Sequence, residues 1–403
     1  MSKKKILLVT QNFFPEFFKS NDIAFELVNK GFEVDVLTGI PNYPKGVYYK
    51  GFSIFKKRLE RINGAKVYRA FQTPRGRKGS NIGLSLNYIT FAFSASLWAI
   101  YFSITKKYDS IIIHLVSPIT QAIPALIYNF FRKTPIFTWV LDIWPDSAIL
   151  GGNIKNKTII RVLDDIVRLV YNKSSKILIS SPQFNELILE KGDYKDKIVS
   201  FPNWSDDLLK MPNVDIPTLP NGFIIMMAGN LGVAQNLDAV MNAVLELKEY
   251  DSIKWVIVGD GSKKKWIEEF VAKHSLENSV YIMGSYPFEM MPSFYKSADT
   301  MLLSLKADFP HINAVIPARL QSYMAASKPV LAMATGASAD LIRESDCGFV
   351  VDPDDYKSLV KYIREKVLPN KVNFESMGKN GRMYYEKHYT KEKCLSHLKE
   401  LIS

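Results

Sequence analysis

The chain has 403 residues, of which 47% are hydrophobic and 23% charged, values typical of a folded protein long enough for two domains. Its two cysteines, Cys347 and Cys394, are too few for a disulfide framework or a cysteine-based zinc site, which excludes a disulfide-rich secreted class and favours a reducing cytoplasm. The net charge of +12 is uneven, because residues 1–200 hold 29 basic and 15 acidic residues whereas residues 201–403 hold 23 and 25, so we expect an anionic partner for the first half, either nucleic acid or an acidic lipid leaflet.

Short apolar strands alternate with helical stretches through the first half. This pattern is typical of right-handed βαβ units in a parallel sheet. The first apolar run ends at Gln11-Asn12, too soon for a signal-peptide core, and is interpreted as the first strand. Strands are expected at 5–10, 33–38, 110–115, 135–141 and 176–180, and helices at about 21–30 and 156–172.

A stretch of 27 residues without a charge, 79–105, lies between basic flanks. The flanks are Arg75, Arg77 and Lys78 on one side and Lys106 and Lys107 on the other. A spanning helix needs about 20 apolar residues, but small and polar residues recur here at helical spacing: Gly83, Asn87, Thr90 and Ser94. We therefore rank a monotopic or half-buried helix first, a core helix second and a true span last. An apolar helix with basic flanks favours a membrane surface over nucleic acid.

A Pro-rich segment interrupts the periodicity from Pro202 to Gly222 and is interpreted as a linker. A second βαβ series starts at Phe223. We expect an N-terminal Rossmann-like domain over 1–205 and a C-terminal Rossmann-like domain over 206–379. Whether the C-terminal helix 380–403 packs back on the first domain is left open. The predicted fold class is α/β, with two parallel sheets facing each other across a cleft.

Strand-to-helix turns of the second half predict an anion site. The turn Gly229–Gly232 follows one strand, and Arg319 lies just inside a helix that opens at Pro317. Such turns gather at one edge of a parallel sheet, where unpaired helical N–H groups hold anions. A nucleotide-handling architecture follows from this pattern.

Characteristic motifs run along nearly the whole chain: Pro15-Glu16, Asn21-Asp22, residues 31–39, residues 41–46, Asp142-Ile-Trp-Pro145, Ser181-Pro182, Pro202-Asn203-Trp204, Gly229–Gly232, residues 258–261, residues 316–320, Tyr323-Met-Ala and Lys328-Pro-Val. In order and spacing they resemble the family 4 glycosyltransferases of the GT-B fold, in particular enzymes of bacterial capsule, O-antigen and colanic-acid assembly. The resemblance implies acceptor binding and membrane docking for the domain over 1–205 and nucleotide-sugar binding for the domain over 206–379. The resemblance implies a UDP-sugar donor, a polyprenyl-diphosphate-linked acceptor and a location at the cytoplasmic face of the inner membrane, peripheral or monotopic. The nearest likeness is to enzymes thought to add N-acetyl-L-fucosamine.

The resemblance also assigns residues to the nucleotide sugar. They are Gly229, Asn230, Leu231, Gly232, Gln235, Gly284, Ser285, Tyr286, Ile316, Pro317, Ala318, Arg319 and Ser322. The family commonly has an arginine and a lysine where this chain has Asn230 and Gln235, and two glutamates where it has Ala314 and Ser322. These departures leave the donor sugar and the anomeric outcome open.

Catalytic and acceptor-side residues follow from position and resemblance. Asp142 ends a strand, where it would meet the acceptor hydroxyl or serve as a structural pair. Asp308 and His311, with Asn313, lie in a polar loop and could replace the missing sugar contacts, whereas His114 is interpreted as a core histidine. The acceptor-side candidates are Pro15, Glu16, Lys19, Asn21, Asp22 and Tyr43, of which Asn21 or Asp22 could instead cap a helix.

Stabilisation of a diphosphate leaving group needs preorganised donors, which helix N-termini and an arginine can supply. No convincing acidic metal motif is present in the sequence, so we expect no cofactor and no metal. Two alternatives remain. A UDP-sugar epimerase shares the two-domain plan but has no need of the apolar helix, and a nucleic-acid-binding protein would use the basic half, although no recognised nucleic-acid motif is present.

Overall fold

The computed structural model describes residues 3–76, 81–151, 154–308 and 310–403. The chain forms two compact units, Met1–Phe201 with Leu395–Ser403, and Pro202–Cys394. The chain therefore leaves the first unit after residue 201, a few residues before the predicted boundary at 205. It re-enters the first unit at residue 395, well after the predicted position 380.

The first unit is built on a sheet whose strands, in the described residues, have the order β3-β4-β2-β1-β5-β6-β7-β8. The strands are β1 (Lys5–Val9), β2 (Glu33–Gly39), β3 (Leu59–Ile62), β4 (Ala65–Ala70), β5 (Ser110–Leu115), β6 (Ile136–Val140), β7 (Lys176–Ile179) and β8 (Ile198–Ser200). The helices that cover the sheet are α1 (Lys19–Asn29), α2 (Asn81–Thr105), α3 (Ile123–Arg132), α4 (Asp146–Gly151), α5 (Lys157–Lys173) and α6 (Phe184–Leu189). The predicted parallel βαβ pattern is confirmed, because only β3 pairs antiparallel among these strands.

Helices on both faces explain the near-continuous apolar strands at the centre of this sheet. Ile6, Leu7, Leu8 and Val9 of β1 are all fully buried. A strand buried on both sides has no polar face to alternate with. Polar side chains cap some of the helices. The Asn156 side chain, for example, accepts the N–H groups of Thr158 and Ile159, at 2.9 and 3.2 Å, and so starts α5.

The hairpin of β3 and β4 was missed from the sequence. Ile62 pairs with Ala65, and the loop between them is Asn63-Gly64. Both loop residues have positive φ, 46° and 86°. A two-residue turn with both φ positive suits the twist of a hairpin, and Asn-Gly is its strongest short signal. The signal was present in the sequence.

The second unit has a parallel sheet in the order β11-β10-β9-β12-β13-β14 across its described residues. Its strands are β9 (Phe223–Ala228), β10 (Ile253–Val258), β11 (Val280–Gly284), β12 (Thr300–Ser304), β13 (Val330–Met333) and β14 (Gly348–Val351). Its helices are α7 (Leu237–Glu246), α8 (Lys264–His274), α9 (Met291–Ser297), α10 (Pro310–Ala314), α11 (Ala318–Ala325), α12 (Gly336–Glu344), α13 (Tyr356–Tyr362) and α14 (Lys371–His388), and α15 (Lys391–Ile402) follows. The strand order reverses between β9 and β12, the position at which open α/β sheets bind ligands.

The linker is fixed within the second unit. Arg382 of α14 donates two hydrogen bonds to the Asp207 carboxylate, at 2.7 and 2.9 Å. This guanidinium holds the pKa of Asp207 below its ordinary value. The end of α15 belongs to the first unit, where the His397 ring stacks on Phe201 with centroids 6.2 Å apart.

Helix α2 is half-buried, and its polar stripe is bonded to protein. Asn87 donates to the Thr73 carbonyl at 2.5 Å, the Thr90 hydroxyl accepts the Thr73 N–H at 3.0 Å, and the Ser94 hydroxyl donates to the Phe71 carbonyl. Within the described residues, Ile82–Thr105 is the helix long and apolar enough to cross a bilayer. Because one face packs on the sheet and on α3, uniform lipid contact does not fit this helix.

Candidate active site

Three strand-end turns of the second unit are fused by backbone hydrogen bonds. Gly229 donates its N–H to Val258 and Leu231 donates to Asp260, both at 2.9 Å, while Gly259 donates to Gly284 at 2.8 Å. A Cβ at Gly259 would lie 1.8 Å from the Gly229 carbonyl oxygen, and φ there is +149°. Only glycine permits this approach. The turn at 259–261 therefore supports the Gly229 turn.

Three amides of the Gly229 turn are already occupied. Besides Gly229 and Leu231, Gly232 donates its N–H to the Gln235 side-chain oxygen at 2.8 Å. The prediction that unpaired amides here hold an anion is therefore wrong for these three positions. Gln235, predicted to contact the donor, instead closes the turn with its side-chain oxygen and is 8% exposed.

Arg319 lies directly over this turn. Its Nη2 donates to the Asn230 carbonyl at 3.4 Å, and its guanidinium carbon lies 3.1 Å from the position a Gly229 Cβ would occupy. Its Nη1 is buried and has no hydrogen-bond partner in the described part of the chain. A buried cationic donor without an acceptor is costly and fits an anionic ligand. The structure thus brings together Gly229, Asn230 and Arg319, as predicted.

Tyr323 fixes the helix that carries Arg319. Its hydroxyl accepts the Ala228 N–H at 3.2 Å and lies 3.5 Å from the Leu302 carbonyl. Burial raises the pKa of Tyr323, so the phenol stays protonated. Because Ala228 and Leu302 belong to β9 and β12, this side chain holds α11 at the point where the strand order reverses.

The segment after β12 is partly helical rather than the predicted polar loop. His311 and Asn313 lie in the short helix α10, and the His311 side chain is outside the described part of the chain. Asn313 accepts from the Thr335 hydroxyl at 2.9 Å and donates to the Ala307 carbonyl at 3.3 Å. Asp308 is exposed before α10. The backbone of Lys306 donates to Ala234 at 2.9 Å and joins this segment to the Gly229 turn.

The remaining donor-side candidates border these elements. Gly284 ends β11 with φ +82°, Ser285 is exposed, and the Tyr286 ring packs on Phe294 with centroids 4.9 Å apart. Ile316 and Pro317 are partly buried and Ala318 is exposed, with Pro317 extended at the start of α11. The Ser322 hydroxyl lies 3.1 Å from that of Ser205. Ser322, predicted to contact the nucleotide sugar, is therefore hydrogen-bonded to the linker.

In the first unit Glu16 is an anchor. It is 1% exposed, its Oε1 accepts the N–H groups of Asn42 and Tyr43, both at 2.6 Å, and its Oε2 accepts from Asn12 at 2.9 Å. Burial raises the pKa of Glu16, against the lowering effect of these hydrogen bonds. The predicted acceptor contact thus becomes a support for the loop that carries Tyr43, which is 41% exposed.

Asn21 ties the neighbouring turn. Its side chain accepts the Phe14 N–H at 2.9 Å and donates to the Glu16 carbonyl at 2.7 Å, around the partly buried Pro15. Helix α1 begins at Lys19, with Phe18 at the N-cap, so the capping alternative for Asn21 and Asp22 is wrong. The Lys19 and Asp22 side chains are 3.9 Å apart within the first turn.

Asp142 follows β6 and accepts from two hydroxyls, those of Ser117 and Ser147, one on each carboxylate oxygen. Its orientation is therefore fixed, as either a structural pair or a preorganised base requires. His114 is 1% exposed, and burial lowers its pKa to about 3, so it is neutral near pH 7. Its prediction as a core histidine is confirmed.

Arg75 is the residue that sequence reasoning missed. Its guanidinium lies between the rings of Tyr43 and Tyr88, 5.1 and 5.6 Å from their centroids. Its backbone N–H donates to the Asn42 side chain at 3.3 Å, and its Nε is buried without a hydrogen-bond partner in the described residues. In the sequence Arg75 was interpreted only as a basic flank of the apolar stretch.

Comparison with known proteins identifies the class. Residues 215–383 match the family model "Glycosyl transferases group 1". The chain is 23% identical over 353 residues to the probable glycosyltransferase WbjE of Pseudomonas aeruginosa, covering 83% of this chain and 84% of that protein. It is 26% identical to the putative colanic acid biosynthesis glycosyl transferase WcaI of Escherichia coli K12, covering 97% and 98%. The crystal structure of Anabaena HepE in complex with UDP superposes with a TM-score of 0.69 at 15% identity, over 100% of this chain and 99% of that one.

The fold is GT-B, and the protein is a glycosyltransferase. Both statements agree with the expectation from the sequence motifs. The relatives that span most of the chain support a role in bacterial polysaccharide biosynthesis.

Proposed function

We propose that this protein transfers a sugar from a UDP-linked donor to a polyprenyl-diphosphate-linked saccharide, at the cytoplasmic face of the inner membrane, during assembly of a surface polysaccharide. The observation that carries the donor half is the Arg319 guanidinium, which lies over the Gly229–Asn230 turn, with a buried Nη1 that has no hydrogen-bond partner among the residues that the structure describes. A diphosphate leaving group gains charge in the transition state, and a preorganised guanidinium stabilises that charge. HepE, a protein with the same fold, has been solved with UDP and with UDP-glucose.

The donor sugar in this proposal is an N-acetylated amino sugar such as N-acetyl-L-fucosamine. The residues that would contact it differ from the carboxylate pair common in the resembled family, since Ala314 is apolar and 4% exposed and Ser322 bonds Ser205. The sugar therefore depends on other groups near the turn, among which we propose Asp308, His311 and Asn230. Metal independence is part of the same proposal.

Product analysis tests the transfer. The protein is incubated with a panel of UDP-sugars, UDP-N-acetyl-L-fucosamine included, and a short polyprenyl-diphosphate-linked sugar, with and without EDTA. We expect one donor to add a single sugar to the acceptor by mass spectrometry, with no loss in EDTA. Absence of transfer from every UDP-sugar would contradict the proposal. Conversion of a donor without acceptor would indicate an epimerase instead.

The membrane half of the proposal depends on the outer face of α2. Apolar side chains on this face recur every three or four residues and are between 39% and 76% exposed. They form the apolar stripe Ile82, Leu86, Ile89, Phe93, Leu97, Ile100 and Ile104. At 1.5 Å per residue the stripe runs for about 33 Å. Exposed contiguous apolar surface of this extent marks an interaction site.

A bilayer fits this stripe better than a protein partner does. The stripe lies in the half of the chain that carries the positive excess, and anionic head groups complement that charge. Phe130 and Phe131, near the end of α3, are 77% and 55% exposed and are followed directly by Arg132 and Lys133. Apolar side chains next to cations are the pattern of a helix that lies in the lipid interface.

Liposome flotation tests the docking surface. Replacing Phe93, Leu97 and Ile104 together by serine should release the protein from phosphatidylglycerol vesicles. Trp98 is left intact, because its ring packs on Tyr68 and Phe102 at 5.5 and 5.6 Å. The control is serine at Val372 and Met383, which are 77% and 62% exposed in the second unit. Equal flotation of both variants and the wild type would refute the docking surface, as would retention on DNA but not on vesicles.

A further inference from the structure

An apolar cavity opens beside the apolar stripe, within the first unit. Its volume is about 490 Å³, in the size range of ligand sites. It lies between the N-terminal half of α2, the segment after β5, α4 and α5. Its walls are mainly apolar and include Leu84, Ile89, Trp144, Ala148, Ile159 and Leu163.

The position of Ile89 connects the cavity to the stripe. Ile89 lines the cavity and is 61% exposed on the outer face of α2. Ile159, on the opposite wall, is 48% exposed. The entrance is therefore apolar on both sides, so an apolar chain can pass from the stripe into the cavity without crossing a polar rim at these two positions.

Two unsatisfied polar groups lie at the cavity or beside it. Thr120 lines the cavity, and its hydroxyl has no hydrogen-bond partner in the described residues. Tyr88 also lines the cavity, and the Arg75 guanidinium lies 5.6 Å from the centroid of its ring. The Arg75 Nε is buried and likewise has no hydrogen-bond partner in the described residues. A mainly apolar cavity with a cation stacked on one of its lining residues suits a ligand with an apolar chain and an anionic head.

We propose that this cavity holds the first isoprene units of the lipid-linked acceptor, with Arg75 pairing with its diphosphate. The inference rests on the proposed function for the identity of the lipid. It places the saccharide, which follows the diphosphate, toward the loops of Tyr43 and Asp142. Both neighbour this region, since Arg75 stacks on Tyr43 and the cavity residues Ser117 and Ser147 hold the Asp142 carboxylate.

Binding of farnesyl diphosphate to the full chain in vesicle-free buffer tests the cavity. Ala148 is 4% exposed in the wall, so Ala148→Phe should fill the space and weaken binding at least tenfold. Ile89→Glu should also weaken the binding of farnesyl diphosphate, and because Ile89 is exposed, the substitution should not impair folding. The matched control is Ile104→Glu, which makes the same change on the same helix away from the cavity and should bind farnesyl diphosphate like the wild type.

Arg75 is tested with ligands that lack either the diphosphate or the apolar chain. Arg75→Ala should weaken the binding of farnesyl diphosphate about tenfold or more and leave the binding of farnesol unchanged. Inorganic pyrophosphate should bind the wild type far more weakly than farnesyl diphosphate does. A diazirine-bearing farnesyl diphosphate should label peptides of α2 and α4. Equal binding by the Ile89→Glu and Ile104→Glu variants, or full displacement of the probe by short-chain phosphatidylglycerol, would overturn the proposal.

Isothermal titration with UDP separates this inference from the proposed function. All variants should keep wild-type UDP affinity. Loss of probe binding with UDP affinity retained then reports on the cavity. A wild-type protein that binds neither UDP nor any UDP-sugar would instead contradict the proposed function itself.

Discussion

Replacing Arg319 by alanine removes a guanidinium beside the Gly229 turn, whose Nη1 is buried and, within the described ranges, has no hydrogen-bond partner. A hydrogen bond to a charged group contributes about 1.5–3 kcal/mol, and each 1.4 kcal/mol is a tenfold change, so one lost bond weakens UDP binding roughly 10- to 150-fold. The loss should be confined to the diphosphate. UDP should lose far more affinity than UMP, and the preference for UDP over UMP should largely disappear.

Isothermal titration with UDP, UMP and uridine measures this difference directly. Arg319→Lys should fall between wild type and alanine, because lysine keeps the charge but not the planar fork. The control is Arg343→Ala in the same unit, where the guanidinium is exposed and 3.6 Å from Asp340. Equal weakening of all three ligands would show that Arg319 only supports the fold, and unchanged UDP affinity would refute its role altogether.

Three further predictions concern the turns, the acceptor side and the core. Gly259→Ala should lower the free energy of unfolding, measured in urea, by about 3 kcal/mol or more, because its Cβ would meet the Gly229 carbonyl. Gly284→Ala should lower it by only about 1 kcal/mol, because no described atom lies within 4 Å of the position of its Cβ. Asp142→Asn should reduce turnover about 10²- to 10⁴-fold without changing UDP affinity, with Asp146→Asn as control, and unaltered turnover would remove Asp142 from the reaction. The unfolded state protonates His114 near pH 6.5 but the folded state only near pH 3, so the free energy of unfolding should fall below pH 6.5 by up to about 1.4 kcal/mol per pH unit. That contribution should vanish in His114→Gln, and identical pH slopes would contradict the buried neutral histidine.

The fold was predictable because its strands are strongly patterned. The runs Ile6–Val9 in β1, Ile111–Ile113 in β5 and Phe223–Ala228 in β9 are continuously apolar and buried, since helices cover both faces of a parallel sheet. The contact between Arg319 and Gly229 was also predictable, because a turn after one strand and a helix start after its neighbour meet at the same sheet edge. The hairpin of β3 and β4 was also predictable in principle, because Asn63-Gly64 is a strong local turn signal, although its two strands are only four and six residues long.

The occupancy of the Gly229 amides could not be predicted in the same way. It depends on the Gln235 side chain, three residues after Gly232, and on the close approach of a second turn at Gly259. Arg75 posed a similar problem, since the sequence places it among basic residues and gives no sign of the two tyrosine rings. Both features depend on tertiary packing, which local patterns do not specify.

In the proposed function, helix α2 would connect the membrane and the acceptor, because Ile89 belongs both to the apolar stripe and to the cavity wall. Moving one five-carbon isoprene unit from hydrocarbon into water costs about 4 kcal/mol, at roughly 0.8 kcal/mol per methylene. A docked protein would take the chain from the bilayer directly into the cavity and avoid that cost. Serine at Phe93, Leu97 and Ile104, none of which lines the cavity, should therefore raise the KM for a long polyprenyl acceptor in vesicles and leave the KM for the UDP-sugar unchanged. An equal rise in both KM values would show that the stripe acts on folding rather than on delivery of the acceptor.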